Sequence, residues 1–376
     1  MRVKVFFTVF LVLFTCSSSA FAAGNVRVSA KAAIIMEAAT GRVLFAQNEH
    51  ERLAMASTTK ILTSLIALEQ PDIDAVFKVD SNAIKVDGSS MGLVEDDSAS
   101  LRALAIGMLL PSGNDGANAA AVRIAGSNAD FAVLMNKRAK EIGMTNSSFE
   151  TPSGLDSENH YSTAYDMALL AREALKNDVF ASICSQYSMT AVYGNPPYER
   201  RLTNHNRLLN SYDGAIGMKT GFTDSAGRCL VTAAKRDGIT LICVTLNCSD
   251  DWGTHSSLYD RFFPQVSLVD LTANMPEANI KITGGTAGTV SAVNYETVEL
   301  PLPASGAYVE YKMFLQPFLY APVKAGRSVG EVEIFVDGEK LTAISLITAA
   351  PVPAKHEYVE KQTLLDKIWE LFESLQ

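Results

Sequence analysis

Apolar residues change their spacing along this chain in an order that few folds accommodate. Residues 31–47, KAAIIMEAATGRVLFAQ, hold two short apolar runs about Ala39, Thr40 and Gly41, the pattern of a β-hairpin. Residues 101–180 are rich in Ala, Leu and Met at helical spacing, and DFAVLMNKRAKEIGM within them ends on a glycine stop signal. Strand patterns then return in GAIGMKTGF, RCLVTAAKR and ITLICVTLN, the last two joined by Asp237 and Gly238, a strong hairpin signal. A hairpin, many helices and then antiparallel strands predict one mixed α/β domain over 26–263, whose antiparallel sheet is closed by both ends of the segment. From 265 to 350 the texture becomes short alternating runs such as KITGG, TVSAV, GEVEIFVDG and LTAISLI, which predict a small separate all-β domain, a β-sandwich.

The two termini carry their own signals. Arg2 and Lys4 precede an apolar run over 5–14, and Ala20, Phe21 and Ala22 form a small-residue cleavage pattern. Together they predict a secretory signal over 1–22, and the apolar run is about half of the ~20 residues a membrane span needs. Pro351 and Pro353 stiffen the approach to the tail 361–376, KQTLLDKIWELFESLQ. There Leu364, Leu365, Ile368, Leu371, Phe372 and Leu375 fall on one side of a helix, with Asp366, Lys367, Glu370 and Glu373 on the other. This amphipathic helix predicts contact with a membrane surface, with docking on the chain's own β domain or on a second copy as the alternatives.

Composition narrows the function classes. The 376 residues carry a formal net charge of −9 and no basic run, which argues against nucleic acid as a partner. The mature chain keeps Cys184, Cys229, Cys243 and Cys248, whose spacing matches neither a zinc pattern nor a dense disulfide framework. Cys229 and Cys243 fall on adjacent predicted strands, so a single bridge and free buried thiols both remain open. The five histidines are scattered without paired spacing, and neither a metal nor another cofactor is implied.

The stretch 53–70, LAMASTTKILTSLIALEQ, is the chemical anomaly. From Ile61 to Leu68 every residue but Thr63 and Ser64 is apolar, so the helix is buried on most sides. Ser57 stands at the N-cap or first-turn position, and Lys60 follows one turn later on the same face. Lysine rarely enters such a setting without a partner. Burial lowers an ammonium pKa toward that of a usable base, and a neutral lysine can take the proton of a serine hydroxyl without histidine. Two further pieces follow in the chain: Ser112-Gly113-Asn114 in a turn-forming stretch, and Lys219-Thr220-Gly221 on the first late strand.

A Ser-x-x-Lys at a helix start, a Ser-x-Asn in a loop and a Lys-Thr-Gly on a strand, in this order, resemble the penicillin-binding and β-lactamase-like serine enzymes. The longer stretches MASTTKILT, LLPSGNDGANAAA, GLDSENHYSTAYDMALLA and GMKTGFTDSAGRCLVTAAKRDG resemble most the low-molecular-weight D-alanyl-D-alanine carboxypeptidases. The likeness extends over the signal, the β domain (APVKAGRSVGEVEIFVDGEKL) and the tail. It implies an αβα layering of the first domain. It implies that Ser57 attacks the penultimate D-alanine carbonyl of a peptidoglycan stem peptide ending in D-Ala-D-Ala, with Lys60 accepting the proton. It implies backbone N–H groups of Ser57 and Phe222 as the oxyanion hole, Ser112 in the proton relay, and Asn114 holding both the substrate amide and Lys60. Lys219 would supply positive potential, Thr220 would take the terminal carboxylate, and Gly221 completes the strand triplet. Substrate would lie antiparallel along 216–222, and β-lactams would acylate Ser57 as inhibitors. The chain is then expected outside the cytoplasm, on the outer face of the cytoplasmic membrane.

Decoys and alternatives stand beside this reading. Ser157-Glu158-Asn159 repeats Ser-x-Asn in a polar loop, and Gly88-Ser89-Ser90-Met91-Gly92 fits a nucleophile elbow but lacks a following helix start, so a loop at the site rim is expected. His160 and Asp166 are expected to hold a helix start. Some relatives grip the carboxylate with an arginine beyond the Lys-Thr-Gly strand; here SDDWGTHSSLYDRFF offers only Arg261. The alternatives are a β-lactamase, which usually lacks the appended domain, a transpeptidase, and a β-lactam sensor or cell-wall scaffold with little turnover.

Overall fold

The computed structural model describes residues 26–355 together with Ile368, Glu373 and Ser374. The expected signal segment 1–22 and nearly all of the tail 361–376 therefore lie outside the described residues.

The hairpin forms as β1 (Ala30–Glu37) and β2 (Val43–Gln47). Glu37 closes its turn, its carboxylate accepting from the backbone N–H groups of Ala39 and Thr40 and from Thr40 Oγ1. A 3₁₀ turn (Ala56–Thr59) leads into α1 (Lys60–Leu68), every residue of which is buried. Two short strands, β3 (Phe77–Lys78) and β4 (Ser98–Ala99), precede α2 (Leu101–Leu109), α3 (Asn114–Ala125) and α4 (Asn128–Ile142). Then come α5 (Ala164–Ala174) and α6 (Asp178–Cys184). The side chains of Ser100, Ser127, Thr163 and Asn177 each accept a first-turn N–H at the starts of α2, α4, α5 and α6. The hairpin β5 (Ser188–Gly194) and β6 (Pro197–Thr203) joins the short strands in a four-stranded sheet of order β3-β4-β5-β6.

After α7 (Leu208–Ser211), the chain returns in β7 (Ala215–Thr223), β8 (Gly227–Arg236) and β9 (Ile239–Cys248). Asp237 and Gly238 both hold positive φ, 48° and 79°, as a tight hairpin turn requires. The main sheet runs β2-β1-β9-β8-β7, antiparallel at every pair, so β1 and β9 close it from the two ends of the domain as expected. Successive residues feed opposite faces. Ile34 and Met36 pack with α1 and its neighbouring helices, whereas Ala33 and Ile35 pack with α8 (Asp251–Phe262). Burial on both faces is why these strands read as near-continuous apolar runs, each large side chain contributing about 1.5–3 kcal/mol. The same alternation puts Cys229 and Cys243 on opposite faces, and all four described cysteines are free and buried.

The described residues divide into two compact units. The first holds residues up to 269 together with 300–305, and the second holds 270–299 and the chain from 306 onward. The boundary differs from a single cut near 264 because β10 (Val266–Asp270) pairs with a strand later in the chain. Following β11 (Ala278–Thr283) and β12 (Thr289–Val293), the strand β13 (Glu299–Pro303) pairs with β10. In the second unit these strands are joined by β14 (Val309–Leu315), β15 (Phe318–Tyr320), β16 (Ser328–Val336) and β17 (Glu339–Thr348). They bond as one six-stranded sheet, β14-β16-β17-β12-β11-β15, in the all-β second domain that the sequence predicts. Among the described residues no helix is long and apolar enough to cross a membrane.

Candidate active site

Ser57 sits inside the 3₁₀ turn, not at the cap of α1, and no side chain caps either the turn or the helix. Its hydroxyl is therefore not spent on the backbone. Ala56 just before it holds φ at 49°, a left-handed conformation unusual for alanine and common where a turn presents a reactive group. Ser57 is half-buried in a cleft of about 330 Å³ whose other walls include Ser89, Ser112, Thr220, Phe222 and Arg228.

Lys60 is wholly buried, and its Nζ lies 2.8 Å from Ser57 Oγ and 2.6 Å from the carbonyl oxygen of Ser153. Burial pushes its pKa well below the ordinary lysine value; the positive charge of Lys219 adds to the depression and Asp115 opposes it. The Ser153 carbonyl belongs to a loop held against α1. Thr63 Oγ1 donates to Pro152 O at 2.6 Å, and Gly154 (φ 83°) passes so close that a Cβ there would lie 2.0 Å from Ala56 O. Ser112 and Asn114 were the expected partners of Lys60, and neither is bonded to it. Asn114 Nδ2 donates instead to Asp87 O at 2.6 Å, which leaves its buried Oδ1 without a partner at the site.

Ser112 is buried with φ at 66°, and Asn114 opens α3. The next residue, Asp115, organises the loop over 88–93. Its carboxylate accepts from Ser90 Oγ and from the backbone N–H groups of Met91, Gly92 and Leu93. The glycine-flanked Ser89-Ser90 segment is thus a laced rim, bringing Ser89 into the cleft. The other decoy is also structural: Ser157 Oγ and the backbone and side-chain amides of Asn159 bond Glu150.

The Lys-Thr-Gly triplet lies on β7, the end strand of the main sheet. A register shift between Ala215 and Gly217 and positive φ at Met218 (88°) re-aim the strand before Lys219. Lys219 is buried, donates to Thr220 O at 2.8 Å, and burial lowers its pKa to about 7. Gly221 is required by close approach: a Cβ would lie 3.0 Å from Met55 O, 3.1 Å from Ser57 N and 3.1 Å from Thr58 N. Gly221→Ala is therefore expected to separate strand from turn. It should slow acylation by about 10–100-fold while leaving the far-ultraviolet circular dichroism intact.

Arg228 lines the cleft, a place that no motif in the sequence marked. It stands across the ladder from Phe222 and pairs with the buried carboxylate of Asp251 at 2.7 Å, beside the Trp252 ring. Arg261 lies in the last turn of α8 and lines a different cleft with Val26, Arg27 and Ser29. His160 does not hold a helix start either. That role falls to Thr163, whose hydroxyl accepts from Asp166 N, while the Asp166 carboxylate takes Asn146 N and Ser147 Oγ. Among the described residues no cluster of His, Cys, Asp or Glu could hold a metal ion.

A buried lysine amine against a serine on a helical turn, beside the end strand of an antiparallel sheet, is the arrangement of the active-site-serine enzymes that bind penicillin. Residues 19–250 match the family model described as D-alanyl-D-alanine carboxypeptidase, and residues 271–354 the one described as penicillin-binding protein 5, C-terminal domain. The chain belongs to the D-alanyl-D-alanine carboxypeptidase family. It is 31% identical to D-alanyl-D-alanine carboxypeptidase DacF of Bacillus subtilis, over 92% of each chain. It is equally 31% identical to DacC of Escherichia coli, over 95% of this chain and 92% of that one. Among solved structures, DacD from Francisella tularensis is 29% identical and superposes with a TM-score of 0.61, covering 88% of this chain and 95% of that one. Penicillin-binding protein 5 from Haemophilus influenzae is 26% identical with a TM-score of 0.66, over 87% and 98% of the two chains. Members of this family act on peptidoglycan, outside the cytoplasm.

Proposed function

We propose that this chain is a serine-type D-Ala-D-Ala carboxypeptidase that removes the terminal D-alanine of peptidoglycan stem pentapeptides through an acyl-enzyme on Ser57. The observation that carries it is the 2.8 Å contact between Lys60 Nζ and Ser57 Oγ on the floor of a cleft edged by β7. A neutral Lys60 takes the hydroxyl proton as Ser57 Oγ bonds the penultimate D-alanine carbonyl carbon. The oxyanion is held by the backbone N–H groups of Ser57 and Phe222. Collapse breaks the C–N bond, and the proton passes from Lys60 by way of Ser112 to the leaving D-alanine amine. Water then attacks the ester, giving its proton back through Lys60 and freeing Ser57.

Substrate adds as a strand along β7, an end strand of the main sheet. Asn114 holds the substrate amide; its buried Oδ1, which has no hydrogen-bond partner among the described residues, supports that role. Thr220 and Lys219 take the terminal carboxylate, while Arg228, held by Asp251, lines the same cleft from the neighbouring strand. Exposed Phe222 forms the rim. A β-lactam follows the same acylation, but its amine stays tethered and deacylation is slow. The pattern over 1–22 supports export, and the apolar face of 361–376 supports attachment to the outer face of the cytoplasmic membrane.

Release of free D-alanine from a diacyl-Lys-D-Ala-D-Ala peptide tests this reading, and its pH profile tests the assignments. Protonated Lys60 is no base, so kcat falls as pH drops through its depressed pKa. Lys219 loses its charge above about 7 in the free protein, and a bound carboxylate raises that value. KM is therefore expected to rise on the alkaline side, and Lys219→Ala to abolish that rise. Acylation by penicillin without D-alanine release would turn the reading to a sensor, and rapid penicillin hydrolysis to a β-lactamase.

A further inference from the structure

We propose that His160 is a positioning residue for Lys60, a strut that holds the Ser153 carbonyl in register with the Ser57 turn. The inference rests on the roles of Ser57 and Lys60 given above. His160 is buried, and its Nδ1 accepts the backbone N–H of Glu150 at 2.9 Å and of Thr151 at 3.3 Å. A ring nitrogen that accepts carries no proton, so the proton is on Nε2. Nε2 then donates to Thr59 Oγ1 at 2.9 Å. Thr59 lies between Ser57 and Lys60 in the reactive turn, while Glu150 and Thr151 begin the loop whose Ser153 carbonyl receives Lys60 Nζ. One side chain thus spans the two backbone segments that bracket the lysine amine. Phe149 meets the ring edge-on at 5.8 Å and fixes its plane.

The chemistry shows why that spacing matters. A neutral amine has two N–H bonds and one lone pair. With one N–H held by Ser153 O, the lone pair can face the Ser57 hydroxyl proton. If the loop drifts, the amine turns and water reaches it, which removes part of the burial that depresses its pKa. The charged groups facing Lys60 are Lys219 on β7 and Asp115 on α3, and neither moves with the loop. The ring itself stays neutral through neutral pH, since burial lowers its pKa to about 4 against the opposing charges of Glu150 and Asp156.

The test is the rate constant of acylation by a fluorescent penicillin between pH 5 and 10, in the full chain and three variants. His160→Ala is expected to lower the limiting rate constant about 10–100-fold, with the half-saturating concentration within about twofold of native. The acidic limb of its profile should move up by about half a pH unit. His160→Gln, whose amide offers both an acceptor and a donor, should recover most of the rate and the native limb. Thr59→Val removes the contact to the turn alone and should show a smaller loss of the same kind, which keeps the test decisive if His160→Ala does not fold. Native rates and limbs in Thr59→Val and His160→Ala, or an equal loss in His160→Gln and His160→Ala with no movement of the limb, would overturn the strut. A native protein that penicillin does not acylate overturns the role of Ser57, and the strut with it.

Discussion

Ser57→Ala is expected to abolish D-alanine release from a diacyl-Lys-D-Ala-D-Ala peptide, by about 10³-fold or more, and to abolish the mass increment left by penicillin. The size of the loss follows from what else the cleft contains. Ser112 and Ser89 also line it, but only Ser57 Oγ has a buried lysine amine at 2.8 Å. The alanine variant keeps the cleft and the β7 edge, so substrate should still bind. Loss should therefore fall on kcat, with KM changed little. The fold should be indifferent, because the hydroxyl neither caps α1 nor bonds the backbone. Residual acylation at a native rate would move the nucleophile to another residue, and Ser112 would then be the one to test.

What could be read ahead of the structure were the features written within one short window. The turn at Asp237 and Gly238 was legible because two successive positive φ values demand those residue types. The pairing of Ser57 with Lys60 was legible because one helical turn separates them. Where the lysine's other proton goes was not, since a backbone carbonyl such as that of Ser153 leaves no mark in sequence. Asn114 was expected on Lys60, yet its amide is taken by Asp87 O, a contact between segments 27 residues apart. Arg228 was overlooked because its place at the cleft follows from strand register opposite Phe222 and from pairing with Asp251, not from the spacing of any motif. The division of the chain near 270 leaves no mark in sequence for a similar reason, as β10 pairs with a strand some thirty residues later.

Lys60→Met should both silence the enzyme and stabilise it, and the two effects have one cause. Without the amine no group takes the Ser57 proton, so acylation should fall by about 10³-fold or more. The stability effect is set by linkage. An unfolded lysine titrates near ~10.4, whereas buried Lys60 titrates well below that. Between those values the unfolded chain binds a proton that the native one lacks, so native stability rises with pH across the window. Below the folded value the whole penalty of a buried ammonium is present; above ~10.4 it has vanished. Methionine, of similar length and without charge, escapes the penalty. Its thermal midpoint should therefore exceed that of the native chain by a few degrees at pH 6, with the difference shrinking steadily toward pH 10. The Ser153 carbonyl loses its donor in the variant, but that cost does not vary with pH, so the slope of the difference isolates the lysine. A midpoint difference that is flat with pH would mean that Lys60 is not the depressed base the cleft requires. The slope that remains in the variant belongs in part to Lys219, whose folded value near 7 gives it the same sign.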